Sequence, residues 1–196
     1  PSQTTYTVGG RISGLSQTTA GLVLTLTGAN GETLIETLSI PAGAATVFNF
    51  QTALPSGGTY SVAVSASPST PLSQNCEVNT GTGTVTIINA NSASVAITCT
   101  TNSFAVGGTV AGLAGDESVG LSLTTNGGMS QTATATGNSF AFNTALLSGS
   151  TYTLVITTNP GGKTCSFANN TGSLTGTITN TAVSVAVSCS GNLAYT

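Results

Sequence analysis

The chain has 196 residues, a formal net charge of -3 and only 4 % charged residues, where an ordinary soluble domain carries about 25 %. It contains no His and no Trp, which removes Ser-His-Asp and Cys-His arrangements, His metal ligands and any group with an unperturbed pKa near neutrality. Arg11 and Lys163 are the only cations, too few for the roughly six to ten phosphate contacts of a nucleic-acid surface, so no nucleic-acid partner is expected.

Hydrophobic residues make up 39 % of the chain and mean hydropathy is +0.31, which argues for a buried core and against disorder. The polar surface falls instead to 38 Thr and 24 Ser. No apolar run approaches the 18 or so residues of a membrane-spanning helix, so no transmembrane segment is expected. No charged leader with an apolar stretch opens the chain at Pro1, so an exported protein would be represented here in mature form.

Strand signals follow in chain order near residues 4–14, 21–27, 32–40, 46–52, 59–67, 74–88 and 92–99. Thr, Val and Ile dominate these runs, and clusters such as Pro55-Ser-Gly-Gly58 and Asn159-Pro-Gly-Gly162 punctuate them. The period is two: Val95, Ile97 and Cys99 share one face, with small or hydroxyl residues on the other. No segment of helical length shows a 3.6-residue spacing.

The whole pattern then occurs a second time. Tyr6-Thr-Val-Gly-Gly-Arg-Ile-Ser-Gly-Leu15 recurs as Phe104-Ala-Val-Gly-Gly-Thr-Val-Ala-Gly-Leu113. Gly21-Leu-Val-Leu matches Gly120-Leu-Ser-Leu, Phe48 to Tyr60 matches Phe140 to Tyr152, and Val95-Ala-Ile-Thr-Cys99 matches Val185-Ala-Val-Ser-Cys189. About seven short strands per copy, with turn signals every 8–12 residues, predict an all-β fold of two tandem immunoglobulin-like β-sandwich domains. The expected boundaries are 1–100, 101–190, and a tail at 191–196. The glycine pairs at 9–10 and 107–108 are expected to form a bulge or kink where the first strand passes from one sheet to the other.

The cysteines fall two per copy, Cys76 with Cys99 and Cys165 with Cys189, and no C-x-x-C pair suggests zinc. Four cysteines allow three connectivities, and the repeat selects one equivalent disulfide inside each copy. Closing such a loop is worth roughly 3 kcal/mol on the chain-entropy model. Disulfides persist outside the reducing cytosol, so an extracellular or cell-surface location is expected; four buried free thiols would be the contrary finding.

The pattern Y/F-x-V-G-G-x-V/I-x-G-L, then G-L-x-L, then F-x-F-x-T-x-L-x-S-G-x-x-Y, and finally S-V-A-V/I-x-C resembles a family of bacterial tandem Ig-like repeats of secreted and surface-anchored proteins. The resemblance covers nearly the whole chain twice. It implies an extracytoplasmic location and structural or adhesive use. It implies no catalytic residues and no cofactor.

Few chemical suspects remain. Glu32 and Glu36 project from one strand face without an aromatic platform, and a solvated face is the preferred reading over a glycosidase pair. Asp116-Glu117 is a weak calcium candidate, because two adjacent acids fall short of the six to eight oxygens Ca²⁺ takes. Asn169-Asn-Thr171 is a sequon, a candidate glycan site at Asn169; the Thr/Ser surface offers O-linked sites as well.

Finally, Ser190-Gly-Asn-Leu-Ala-Tyr195-Thr resembles the opening of a further repeat. A strand with Leu193 and Tyr195 on one face, together with Tyr6 and Val8 at the other end of the chain, forms the suspected subunit interface for β-strand addition. The expected function is therefore a non-catalytic structural subunit of an extracellular, pilus-like filament, a homopolymer joined head to tail through terminal strands. The alternatives are an adhesin or stalk module that binds carbohydrate or host protein, a frayed tail, and a piece of a longer array.

Overall fold

Alternating apolar and hydroxyl residues oblige each strand to bury one face, and two sheets packed face to face satisfy that demand. In a computed structural model, residues 4–28, 33–43, 46–79, 85–86, 92–168 and 171–191 are described. Among them every regular element is a strand, and no helix is long and apolar enough to cross a membrane. The chain divides into two units, Pro1–Asn102 and Ser103–Thr196.

The first unit contains β1 (Thr5–Tyr6), β2 (Val8–Ser13), β3 (Leu22–Gly28), β4 (Thr33–Ile40), β5 (Val47–Asn49), β6 (Leu54–Pro55), β7 (Thr59–Ala66), β8 (Gln74–Val78), β9 (Val85–Thr86) and β10 (Ser92–Thr101). These form sheets of order β5-β2-β10-β8 and β4-β3-β7-β9, with a small β1-β6 ribbon. The second unit contains β11 (Ser103–Phe104), β12 (Val106–Ala111), β13 (Val119–Thr125), β14 (Ser130–Ala135), β15 (Ser139–Ala141), β16 (Leu146–Leu147), β17 (Thr151–Thr158), β18 (Lys163–Phe167), β19 (Ser173–Thr177) and β20 (Val183–Gly191). Its sheets repeat the plan, β15-β12-β20-β18 and β14-β13-β17-β19 with a β11-β16 ribbon. The fold is all-β, and each unit is an immunoglobulin-like sandwich.

In both units the first long strand lies parallel to the last, β2 beside β10 and β12 beside β20. All other strand pairs are antiparallel. Each core draws on both sheets: Val8, Leu24, Leu26, Phe50, Tyr60 and Ile97 in the first, and Val106, Leu121, Leu123, Leu154 and Phe167 in the second. Phe48 and Phe50 meet edge to face with ring centroids 5.8 Å apart, and Phe140 and Phe142 repeat the contact at 5.9 Å.

Two details differ from the sequence expectation. The run at 74–88 contains two strands in opposite sheets, β8 and β9; residues 80–84, 87 and 88 of that run lie outside the described residues. The first strand does change sheets, but at Thr7 and Ala105, between β1 and β2 and between β11 and β12. The glycine pairs lie inside β2 and β12, and close strand approach explains them. A Cβ on Gly10 would stand 1.9 Å from the Val95 carbonyl oxygen, and one on Gly108 would stand 1.8 Å from that of Val185. Gly14 and Gly112, at φ +74 and +87, end the same strands against the Cys99 and Cys189 carbonyls.

Substituting Gly10→Ala is expected to cost the first unit about 3 kcal/mol, the upper range for overpacking, because the obstruction is backbone. Denaturant unfolding should show an earlier transition for that unit and an unchanged one for the second; Gly108→Ala should reverse the pattern.

Candidate functional site

The cysteines sit where the ladder places them opposite one another. Cys76 faces Cys99 across β8 and β10, and Cys165 faces Cys189 across β18 and β20. The sulfurs are bonded at 2.06 and 1.99 Å. All four side chains are buried in the cores, and no free cysteine is present among the described residues. These bridges join neighbours within one sheet, so they clamp an edge strand to the strand that closes the sandwich. The outward N–H groups on that edge are also covered: Cys76 N–H donates to Ser67 Oγ at 3.1 Å, and Cys165 N–H donates to Asn159 Oδ1 at 2.9 Å.

At the start of the same edge strand the two units use different chemistry for one task. Gln74 is buried, and its Nε2 donates to the Gly14 carbonyl at 2.9 Å. Its Oε1 accepts from Ser16 N–H at 3.0 Å and from the Thr19 hydroxyl at 3.1 Å. In the second unit Lys163 takes the place of Gln74, and its Nζ donates to the Gly112 carbonyl at 2.7 Å. Glu117 stands at the position of Thr19; its Oε2 lies 2.6 Å from Lys163 Nζ and accepts from Ala114 N–H at 2.8 Å. A neutral amide in one unit and an ion pair in the other pin the same turn. The Lys163 hydrogen bond, then the Ala114 N–H, hold the Glu117 carboxyl below its ordinary pKa.

Glu36, at the surface, also holds backbone. Its two oxygens accept from Gln51 N–H at 3.0 Å and Thr52 N–H at 2.8 Å. Partial burial raises its pKa, and these backbone and Thr52 hydrogen bonds outweigh that effect, so the carboxyl titrates below its ordinary value. Gln131 does the equivalent work in the second unit, accepting from Thr144 N–H at 2.9 Å and donating to its carbonyl at 3.0 Å. Asp116 and Glu117 border a shallow cleft with Ser118, Asn159 and Pro160, but no group of three His, Cys, Asp or Glu gathers among the described residues.

The suspected interface residues are placed unequally. Tyr6 pairs with Leu54 in the β1-β6 ribbon and is half-buried against the core, while Val8 is completely buried. Leu193, Tyr195, Glu32 and Asn169 lie outside the described residues. The outer face of β14-β13-β17-β19 carries a cross-strand row Ser130–Thr124–Thr153–Thr175, beside a shallow concavity of about 400 Å³ also lined by Thr151 and Thr177. Sequence reading by type passed over the Gln74 and Lys163 clusters; laying the copies side by side would have paired Gln74 with Lys163 and Thr19 with Glu117.

No family model matches the chain, and no curated protein sequence matches it. Among solved structures it is similar to the C-terminal fragment of pilus adhesin SpaC from Lactobacillus rhamnosus GG, at 14 % identity and TM-score 0.39, covering 98 % of this chain and 100 % of that one. It is also similar to shaft pilin spaA of the same organism (D295N mutant), at 11 % identity and TM-score 0.32, covering 97 % and 100 %. A Mobiluncus mulieris adhesin containing intramolecular disulfide, isopeptide and ester bond cross-links matches at 10 % identity and TM-score 0.35, covering 93 % and 88 %. Likenesses this distant carry no argument for this chain, whose fold rests on its own strand pairing.

Two predictions follow from the clamps. Reduction should lower the stability of each unit by about 3 kcal/mol, read as earlier denaturant transitions with reductant than without. Because the folded-state pKa of Glu117 is depressed, its contribution is present above the ordinary carboxylate pKa of 4.5 and is lost as pH falls through the lowered value. Glu117→Gln should flatten the acid dependence of the second unit, and Glu36→Gln that of the first, in thermal melts between pH 2 and 7.

Proposed function

We propose that this chain is a non-catalytic structural subunit of an extracellular or cell-surface filament, assembling with copies of itself head to tail through terminal β-strands. The observation that carries the reading is the duplication: two sandwiches of identical strand order, each with its closing strand bonded covalently to an edge strand inside the core. Such a unit resists extension and unfolding without a cofactor. Disulfides of this kind also belong to an oxidising compartment.

The surface fits assembly. With 4 % charged residues, copies approach one another with little electrostatic repulsion. Two of the five acids, Glu36 and Glu117, accept hydrogen bonds from backbone N–H groups.

A second reading, an adhesin or stalk module, is favoured by the hydroxyl row Ser130–Thr124–Thr153–Thr175, an uncharged face suited to a neutral glycan. The two readings separate by experiment. Negative-stain microscopy and light scattering of the purified chain should show filaments or a ladder of oligomers that disappears on deletion of residues 190–196. A chain that stays monomeric at high concentration, with saturable glycan-array binding lost in Thr153→Tyr, would replace the filament reading with the adhesin one.

A further inference from the structure

The sheet edges of this chain differ in how well they are defended. A free edge strand exposes a row of N–H and C=O groups, and short length, charges, bulges or covering side chains normally keep a second chain off it. In the first unit the edge strand β4 carries a bulge where its ladder passes from Leu26 to Thr27, and a carboxylate at Glu36. In the second unit β15 is only three residues long. β18 begins at Lys163, and its Cys165 N–H is taken by Asn159. β19 contains Gly176, which weakens a strand, and its Ser173 carbonyl accepts from the Thr171 hydroxyl.

β14 has none of these devices. Its six residues, Ser130-Gln-Thr-Ala-Thr-Ala135, include no charge, no Pro and no Gly. It pairs with β13 in unbroken register, from Thr124 with Ser130 to Val119 with Ala135. Among the described residues β13 is its only neighbour in the sheet, and no turn or loop backbone hydrogen bond reaches it. Ser130, Thr132 and Thr134 are exposed on the outer face, while Gln131 turns its amide to the Thr144 backbone.

We infer that β14 is a self-pairing edge: two copies of the chain join β14 to β14, antiparallel about a two-fold axis, and their outer sheets become one continuous sheet. Residues directly opposite one another across a ladder lie on the same face, so the exposed hydroxyls of one copy must meet those of the other. With Thr132 on the axis, it faces its own counterpart and Ser130 faces Thr134, the register that pairs all three hydroxyl residues. No like charges meet there, and hydroxyl pairs of this kind stabilise a sheet. A second copy is the occupant the strand itself specifies. Ser130-Gln-Thr-Ala-Thr134 alternates hydroxyl with other residues in the same way when read backwards, and the edge has no charge with which to select a different chain. Such a contact closes at two copies, so it goes beyond head-to-tail joining and ties subunits side by side.

The test compares full-length variants, each first checked for native circular dichroism and two intact disulfides. Thr132→Lys places two ammonium groups opposite one another and should abolish the pairing; Thr153→Lys, on the interior strand β17 of the same face, should leave it intact. An equimolar mixture of Thr132→Lys and Thr132→Glu chains should recover it, because opposite charges then face each other across the axis. Sedimentation reads the association, and amide hydrogen exchange reads its place. Protection within Ser130–Thr134 should rise with protein concentration in the parent and in Thr153→Lys, but not in Thr132→Lys alone. Pairing that survives in Thr132→Lys, or is lost equally in Thr153→Lys, overturns the edge assignment. Head-to-tail filaments with exchange at β14 independent of concentration overturn it as well and leave the filament reading intact. A parent chain that stays monomeric at its highest soluble concentration overturns both.

Discussion

Each sandwich depends on the parallel contact between its first long strand and its last. β2 is the first long strand of the first unit and β10 its last, so their pairing closes nearly all of the intervening chain, and β12 with β20 does the same for the second. A contact between such distant parts of the sequence is entropically expensive to form. Three local features offset that cost. A glycine brings the two backbones together, a disulfide ties the closing strand to its other neighbour, and the Val and Ile stripes of both strands enter the core. Loss of any one would leave the other two to hold a strand whose partner lies about eighty residues away.

The turn after the first strand shows how far chemistry can drift while geometry is kept. In both units the left-handed glycine at 14 or 112 directs its carbonyl to a side chain from the edge strand. One unit answers with a buried amide and a threonine hydroxyl, the other with an ammonium and a carboxylate. The exchange moves the single salt bridge among the described residues to a partly exposed place, where an ion pair costs little desolvation and adds only modest stability. Of its two cations and five acids, Glu36, Glu117 and Lys163 hold backbone groups.

Scarcity of charge has a second consequence. The outward faces are built from hydroxyls, some of which bond back to the sheet, as Thr25 and Thr27 do to the Ala63 and Ser61 carbonyls. Such faces are hydrated but nearly neutral.

Much of this was legible in the sequence. The period-two alternation dictated strands, the repeat divided the chain, and the cysteine pairs followed from asking that both copies be alike; these are local or self-comparing properties that need no third dimension. What only the tertiary structure decided depended on which strands became neighbours. Gly10 reads as part of a kink until Val95 is seen to press against it, the 74–88 run reads as one strand until β8 and β9 join different sheets, and Gln74 carries no signal of its own until Gly14, Ser16 and Thr19 close around it. The physical reason is common to all three: a residue's type and spacing set which face it turns, whereas its role depends on atoms brought to that face from elsewhere in the chain.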